Sequence, residues 1–105
     1  MRVQPEVYCP YLYFPIILPE EATPFVAHMQ GNGIAVRRYY TACHDLKFYR
    51  GRYREQDLAF TDEIKDNIVA LPLHTIMSAE EIDYLFSTVR GYFARTPSAG
   101  RLAAV

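Results

Sequence analysis

The stretch "NIVALPLHTIMSAEEIDYLF", residues 67–86, decides the fold of this chain. Residues 68–73 form a short apolar run with β-branched residues, which is typical of a buried strand. Ser78 and Glu81 follow at the spacing of a capping box, in which each side chain accepts a hydrogen bond from the other residue's backbone N–H. The residues after them repeat with the period of an amphipathic helix, and the apolar face comprises Ile82, Leu85, Phe86, Val89 and Phe93. The stretch therefore predicts a strand, a turn and a long helix.

The rest of the chain adds two strands and two helices to this unit. Residues 11–18, "YLYFPIIL", and 34–40, "IAVRRYY", are rich in aromatic and β-branched residues and predict strands. Thr23 predicts the N-cap of a helix between them, and we expect a long loop over 41–60 and a short helix over 61–67. The order β-α-β-loop-α-β-α predicts an α/β (α+β) fold: a small, mainly antiparallel sheet of about three strands, with helices packed mainly on one face.

Length and composition are those of one globular domain. The chain has 105 residues, of which 50% are apolar, and a formal net charge of -1. We assign residues 1–10 to an N-terminal segment, 11–95 to the domain and 96–105 to a frayed tail. The sequence has no apolar run long enough to span a membrane and no signal-peptide h-region, which predicts a cytoplasmic protein without a membrane partner. Cys9 and Cys43 form no CxxC unit, so we expect no metal site.

Charge is unevenly distributed along the chain. Residues 37–54, "RRYYTACHDLKFYRGRYR", hold six of the 11 basic residues and one acid, for a net of +5. The other residues hold five basic and 11 acidic side chains, for a net of -6. A basic, aromatic segment on an otherwise acidic domain indicates a local anionic partner.

Several motifs coincide in order with those of one enzyme family. They are "YLYFPIIL", then "GNGIAVRRYYTACH" at 31–44, then "FTDEIKDNIVALPLHTIMSAEEIDYL" at 60–85. Together they resemble the C-terminal small domain of the DegT/DnrJ/EryC1/StrS aminotransferases, the sugar aminotransferases. The chain departs from the family pattern at Ala42 and Cys43, where proline and leucine are expected before the first histidine, and at Thr75, where proline is common.

The resemblance implies a fold-type-I, pyridoxal-phosphate-dependent homodimer that transfers an amino group from glutamate to a nucleotide-linked keto-sugar. In such enzymes a large domain holds the cofactor and its lysine. Lys47 and Lys65 lie outside the family's lysine motif, so the resemblance implies that this chain is a C-terminal domain or fragment, inactive alone, with no cofactor-binding residue and no nucleic-acid partner. The family context makes five residues candidates for substrate binding: His44, Arg38, Tyr40, Arg37 and Tyr39.

Other interpretations of the same residues stay open. His44 could be a loop histidine with a structural hydrogen bond, and the arginines could form a solvated face that packs on the large domain. The basic segment 37–54 could also make this chain a free-standing nucleotide- or RNA-binding module. A non-catalytic protein that dimerises through exposed apolar surface is a further alternative. The family also has dehydratase members, which use pyridoxal phosphate but lack the lysine, and the resemblance does not choose between them and the transaminases.

Overall fold

A computed structural model describes residues 5–8, 13–39, 41–52 and 58–95, together with the backbone of 103–104. The strands form one antiparallel sheet in the order β2-β3-β1-β4. The fold is the predicted α+β arrangement. The elements in chain order are β1 (Phe14–Ile17), α1 (Thr23–Gly31), β2 (Arg37–Arg38), a 3-10 turn (Cys43–Asp45), α2 (Ala59–Ile64), β3 (Ile68–Leu71), α3 (Ala79–Arg95) and β4 (Ala103–Ala104).

The hydrophobic core lies between one face of the sheet and the helices α1 and α3. Ile16 of β1 pairs with Val69 of β3, so both side chains point to the same face. Phe25 of α1 and Leu85 of α3 are buried against that face. Helices α1 and α3 therefore cover one face of the sheet, as predicted, and the residues of β1 and β3 on the opposite face do not belong to this core.

The start of α3 is the capping box that the sequence predicts. The backbone N–H of Ser78 donates to Glu81 Oε2 at 2.8 Å, and the backbone N–H of Glu81 donates to Ser78 Oγ at 3.2 Å. The predicted apolar stripe of α3 is only partly buried, because Ile82 is 40% exposed and Phe86 is 47% exposed. The middle of the stripe packs in the core, and its edge remains at the surface.

Three expectations about element bounds are wrong. The strand predicted over 34–40 is two residues long, because the backbone N–H groups of Ile34 and Val36 donate to Met29 and Ile34 rather than to β3. Thr23 is the first residue of α1 and not its cap. The segment 41–60 was expected to be an irregular loop, but it contains the 3-10 turn and the first residues of α2.

The C-terminal segment contributes to the sheet. Ala103 and Ala104, which lie within the segment 96–105, pair with Ile17 and Ile16 of β1. The residues between α3 and β4 lie outside the described part of the chain.

Candidate functional site

β2 presents its two arginines to opposite faces of the sheet. Successive side chains of a strand alternate between faces. Arg38 pairs with Val69, whose side chain points into the core, whereas Arg37 pairs with Ala70 on the opposite face. The two neighbouring arginines therefore start from opposite faces of the sheet, although both border one cavity at the edge strand.

Arg38 is held by carboxylates at the edge of the sheet. Its guanidinium donates to Glu21 Oε1 at 2.8 Å, and it lies 3.4 Å from Asp66 Oδ1 and 3.2 Å from the Asp66 carbonyl oxygen. These contacts join β2 to the segment before α1 and to the turn before β3. Because the side chain of Arg38 is 45% exposed, the ion pairs stabilise the fold by about 0–1 kcal/mol at most. A phosphate that approached Arg38 would have to compete with two carboxylates.

Arg37 and Tyr39 lie at the face of the sheet opposite the core. With Tyr13, Arg38 and Ala70 they line a shallow cavity of about 140 Å³. Among the described residues, Arg37 has no ion-pair partner. Tyr40, the other candidate on this segment, lies outside the described residues. The position of Arg37 is consistent with binding of an anion from solvent.

His44 belongs to a compact charge cluster that sequence reasoning did not detect. Its Nε2 is 2.7 Å from Asp62 Oδ1 and 3.9 Å from Asp45 Oδ1. Lys65 Nζ is 2.8 Å from Asp62 Oδ1 and 3.0 Å from Asp45 Oδ2. The four residues, which we call the charge cluster, tie the 3-10 turn to α2. The side chain of His44 is only 15% exposed, so its geometry favours the structural interpretation.

The contacts within the charge cluster favour the charged forms of Asp62 and Lys65. Hydrogen bonds from Lys65 and then from His44 lower the pKa of Asp62 below its usual value. Hydrogen bonds to Asp62 and then to Asp45 raise the pKa of Lys65 above its usual value. Both groups are therefore charged over the whole physiological pH range.

An apolar cleft opens where β3 ends and α3 begins. It has a volume of about 360 Å³. His74, the residue at the end of the predicted strand, is exposed and lies at this cleft, where its carbonyl oxygen accepts a hydrogen bond from the backbone N–H of Met77 at 3.3 Å. His74 therefore lies where the chain leaves the core. The cleft is lined mainly by Phe14, Leu71, Leu73, Met77, Ile82 and Phe86.

No group of three or more His, Cys, Asp or Glu side chains in the described ranges could hold a metal ion. Within the same ranges, no helix is long and apolar enough to cross a membrane.

The fold and these contacts define a small α+β domain with cationic and aromatic side chains on the edge strand of its sheet. The chain belongs to the DegT/DnrJ/EryC1/StrS aminotransferase family, whose sequence profile matches residues 1–90. It is 27% identical over 85 residues to dTDP-4-amino-4,6-dideoxy-D-glucose transaminase of Shigella dysenteriae. That alignment covers 76% of this chain and 23% of the relative, so the chain spans about a quarter of the length of the curated relative. No solved structure matches the chain.

Proposed function

We propose that this chain is the small, C-terminal domain of a pyridoxal-phosphate-dependent aminotransferase that acts on nucleotide-linked keto-sugars. The observation that supports this most directly is the family match over residues 1–90, which includes β2, β3 and the capped start of α3. The similarity to a transaminase of a dTDP-linked amino sugar supports the substrate class. Glutamate as amino donor, a homodimeric assembly and a cytoplasmic location belong to the same proposal. Neither a membrane nor a nucleic acid is a partner in this proposal.

Neither lysine of this chain suits the Schiff base of the cofactor. A Schiff-base lysine must lose its proton before its nitrogen can attack a carbonyl. Lys65 is held between two carboxylates, which raise its pKa and keep it protonated. Lys47 is exposed on the surface turn that follows the 3-10 turn. We therefore assign the cofactor to another part of the intact enzyme and derive no catalytic step from this chain.

The contribution of this domain would be substrate binding. Arg37 can donate hydrogen bonds to oxygens of the sugar without first losing a carboxylate partner in the described structure, and Tyr39 lies beside it at the same cavity. Arg38 and His44 would have to exchange carboxylates for substrate, so they support binding through the elements that they hold in place. Tyr40 follows Tyr39 directly in the chain and stays a candidate.

The proposal is tested with the full-length protein that contains this domain. Incubation with glutamate and a dTDP-linked 4-keto-sugar should release 2-oxoglutarate and yield the amino sugar. No amine product from any nucleotide-linked keto-sugar would contradict the substrate class.

Arginine variants of the full-length protein test the role of this domain. Arg37→Ala should raise the KM for the sugar at least about tenfold, since a hydrogen bond to a charged group contributes about 1.5–3 kcal/mol. The KM for glutamate should change less. Arg90→Ala, which removes an exposed arginine of α3, provides the matched control. Equal increases in the KM for the sugar and the KM for glutamate would instead indicate a folding or interface role for Arg37.

A further inference from the structure

The turn formed by residues 46–52, which we call the basic turn, is ordered by its own backbone. The N–H groups of Tyr49 and Arg50 both donate to the carbonyl oxygen of Leu46, at 2.9 and 3.0 Å. The N–H of Arg52 donates to the carbonyl oxygen of Tyr49 at 3.0 Å. Gly51 has φ +80, a left-handed conformation that side chains disfavour. The basic turn therefore has a defined shape without help from a ligand.

The charge cluster anchors the basic turn to the domain. Asp45 is the last residue of the 3-10 turn, directly before Leu46, and its carboxylate binds Lys65. The carbonyl oxygen of Asp45 accepts a hydrogen bond from the Arg50 guanidinium at 3.3 Å. The basic turn is thus fixed at its base to α2 and projects its other side chains into solvent.

The cations of the basic turn lack carboxylate partners among the described residues. Arg38 and Lys65, outside the turn, are each held by two acids. In contrast, Lys47, Arg50 and Arg52 form no ion pair within the described ranges. Within the described part of the chain, no acidic side chain competes with an external anion for these three cations.

An exposed aromatic ring lies among these cations. Phe48 is 66% exposed, and the guanidinium carbon of Arg52 lies 4.4 Å from the centroid of its ring. Tyr49 packs edge-on against Phe48 with the ring centroids 5.0 Å apart. An exposed ring flanked by guanidinium groups can stack a planar base and meet the phosphates attached to it.

We propose that the basic turn binds the nucleoside diphosphate part of the substrate, with the base stacked on Phe48 and the diphosphate bound by Arg50 and Arg52. Guanidinium groups suit phosphate because they donate two parallel hydrogen bonds to its oxygens. This inference rests on the proposed function, because it takes the nucleotide-linked sugar as the substrate class. It assigns the sugar and the nucleotide to different parts of the domain: the cavity at Arg37, and the basic turn.

The test is binding of dTDP to the full-length protein, measured by titration calorimetry. Phe48→Ala should weaken dTDP binding by roughly 5- to 150-fold, the range for loss of one base–aromatic stack. Phe60→Ala is the matched control, because Phe60 of α2 is also highly exposed, at 69%. Phe48→Tyr keeps the ring and should retain binding. The double variant of Arg50 and Arg52 to alanine should weaken binding at least tenfold, and the loss should shrink as salt rises.

The outcomes separate this inference from the proposed function. If dTDP binds equally well to the wild type and to the Phe48 and Arg52 variants, the basic turn is not the nucleotide site, and transaminase activity can still be present. If dTDP binding depends on the turn but no transamination occurs, the proposed function is wrong and the nucleotide site stands. If a single-stranded oligouridine binds to the turn far more tightly than dTDP, the partner is a nucleic acid and the inference is overturned. Absence of any dTDP binding to the folded wild type also overturns it.

Discussion

The capping box of α3 allows a sharp prediction about stability. Ser78→Ala removes the Oγ that accepts the backbone N–H of Glu81 at 3.2 Å. Loss of such a cap costs about 1 kcal/mol, because a backbone donor at the start of the helix loses its partner. For a domain of this size, about 1 kcal/mol lowers the Tm by about 4–8 °C. The effect should reach the whole domain, since α3 carries Leu85 and Val89 into the core.

A small set of variants distinguishes the cap from a general effect of mutating α3. Ser78→Gly should cost only a few tenths of a kcal/mol, because glycine leaves the helix end open to water and adapts its backbone. Ser87→Ala is the control within the same helix, where the hydroxyl only donates back to the Tyr84 carbonyl oxygen at 2.9 Å. Alanine is the better helix former at such an interior position, so Ser87→Ala should be neutral or slightly stabilising.

The two halves of the capping box should also be coupled. Glu81→Ala removes the carboxylate that accepts the Ser78 N–H at 2.8 Å. If the box acts as a unit, the double variant should lose less stability than the two single losses added together. Urea denaturation, which gives the free energy of unfolding for each variant, is the measurement. An unchanged midpoint for Ser78→Ala, or an equal loss for Ser87→Ala, would refute the reasoning.

Three further predictions follow from the core, the charge cluster and the lysines. Phe25→Ala should cost about 3–5 kcal/mol in denaturant melts, since Phe25 is fully buried, whereas the exposed Phe60→Ala should change stability by less than about 0.5 kcal/mol. Asp62→Asn should destabilise the domain at pH 7, and urea melts at several pH values should show this difference vanishing in acid. The pKa of Asp62 is lower in the folded state than its usual 3.8, so its contribution is present above that value and is lost as the pH falls through the folded pKa. The pH dependence of the Lys65 contribution to stability has the opposite sign. The pKa of Lys65 is raised in the folded state, so its contribution is fully present below pH 10.5 and is lost only at higher pH. Finally, the isolated chain should show no pyridoxal-phosphate absorbance band that shifts on borohydride reduction, and such a band would mean that a lysine of this chain forms the Schiff base.

The features that the sequence predicts well are those set by neighbouring residues. Ser78 and Glu81 are three positions apart, so their capping box can be recognised without any knowledge of the fold. The same is true of Leu85 and Val89, whose spacing places them on one helical face, and of the apolar strand that contains Val69. These local signals were enough to predict the order of elements and the one-sided sheet.

The contacts of the candidate site depend on tertiary structure. Arg38 meets Glu21 and Asp66, which are 17 and 28 residues away in sequence. His44 meets Asp62 across 18 residues. No local period specifies such pairs, so the sequence could indicate a basic segment but not which of its cations are neutralised. The Asp62–Lys65 pair is the exception, because its i,i+3 spacing is readable as a helical ion pair.

The net charge of the basic segment, residues 37–54, therefore does not show which of its cations can meet a ligand, because the fold decides which of them have acidic partners. Counted along the chain, residues 37–54 form one strongly positive stretch. In the fold, the alternation of β2 sends Arg38 to the carboxylates at the core-facing edge and leaves Arg37 at the opposite face of the sheet. The charge cluster holds the base of the basic turn, whose cations have no acidic partner among the described residues. These cations therefore lie in two separate places, and under the proposed function the sugar oxygens would meet Arg37 and the phosphate oxygens would meet the basic turn.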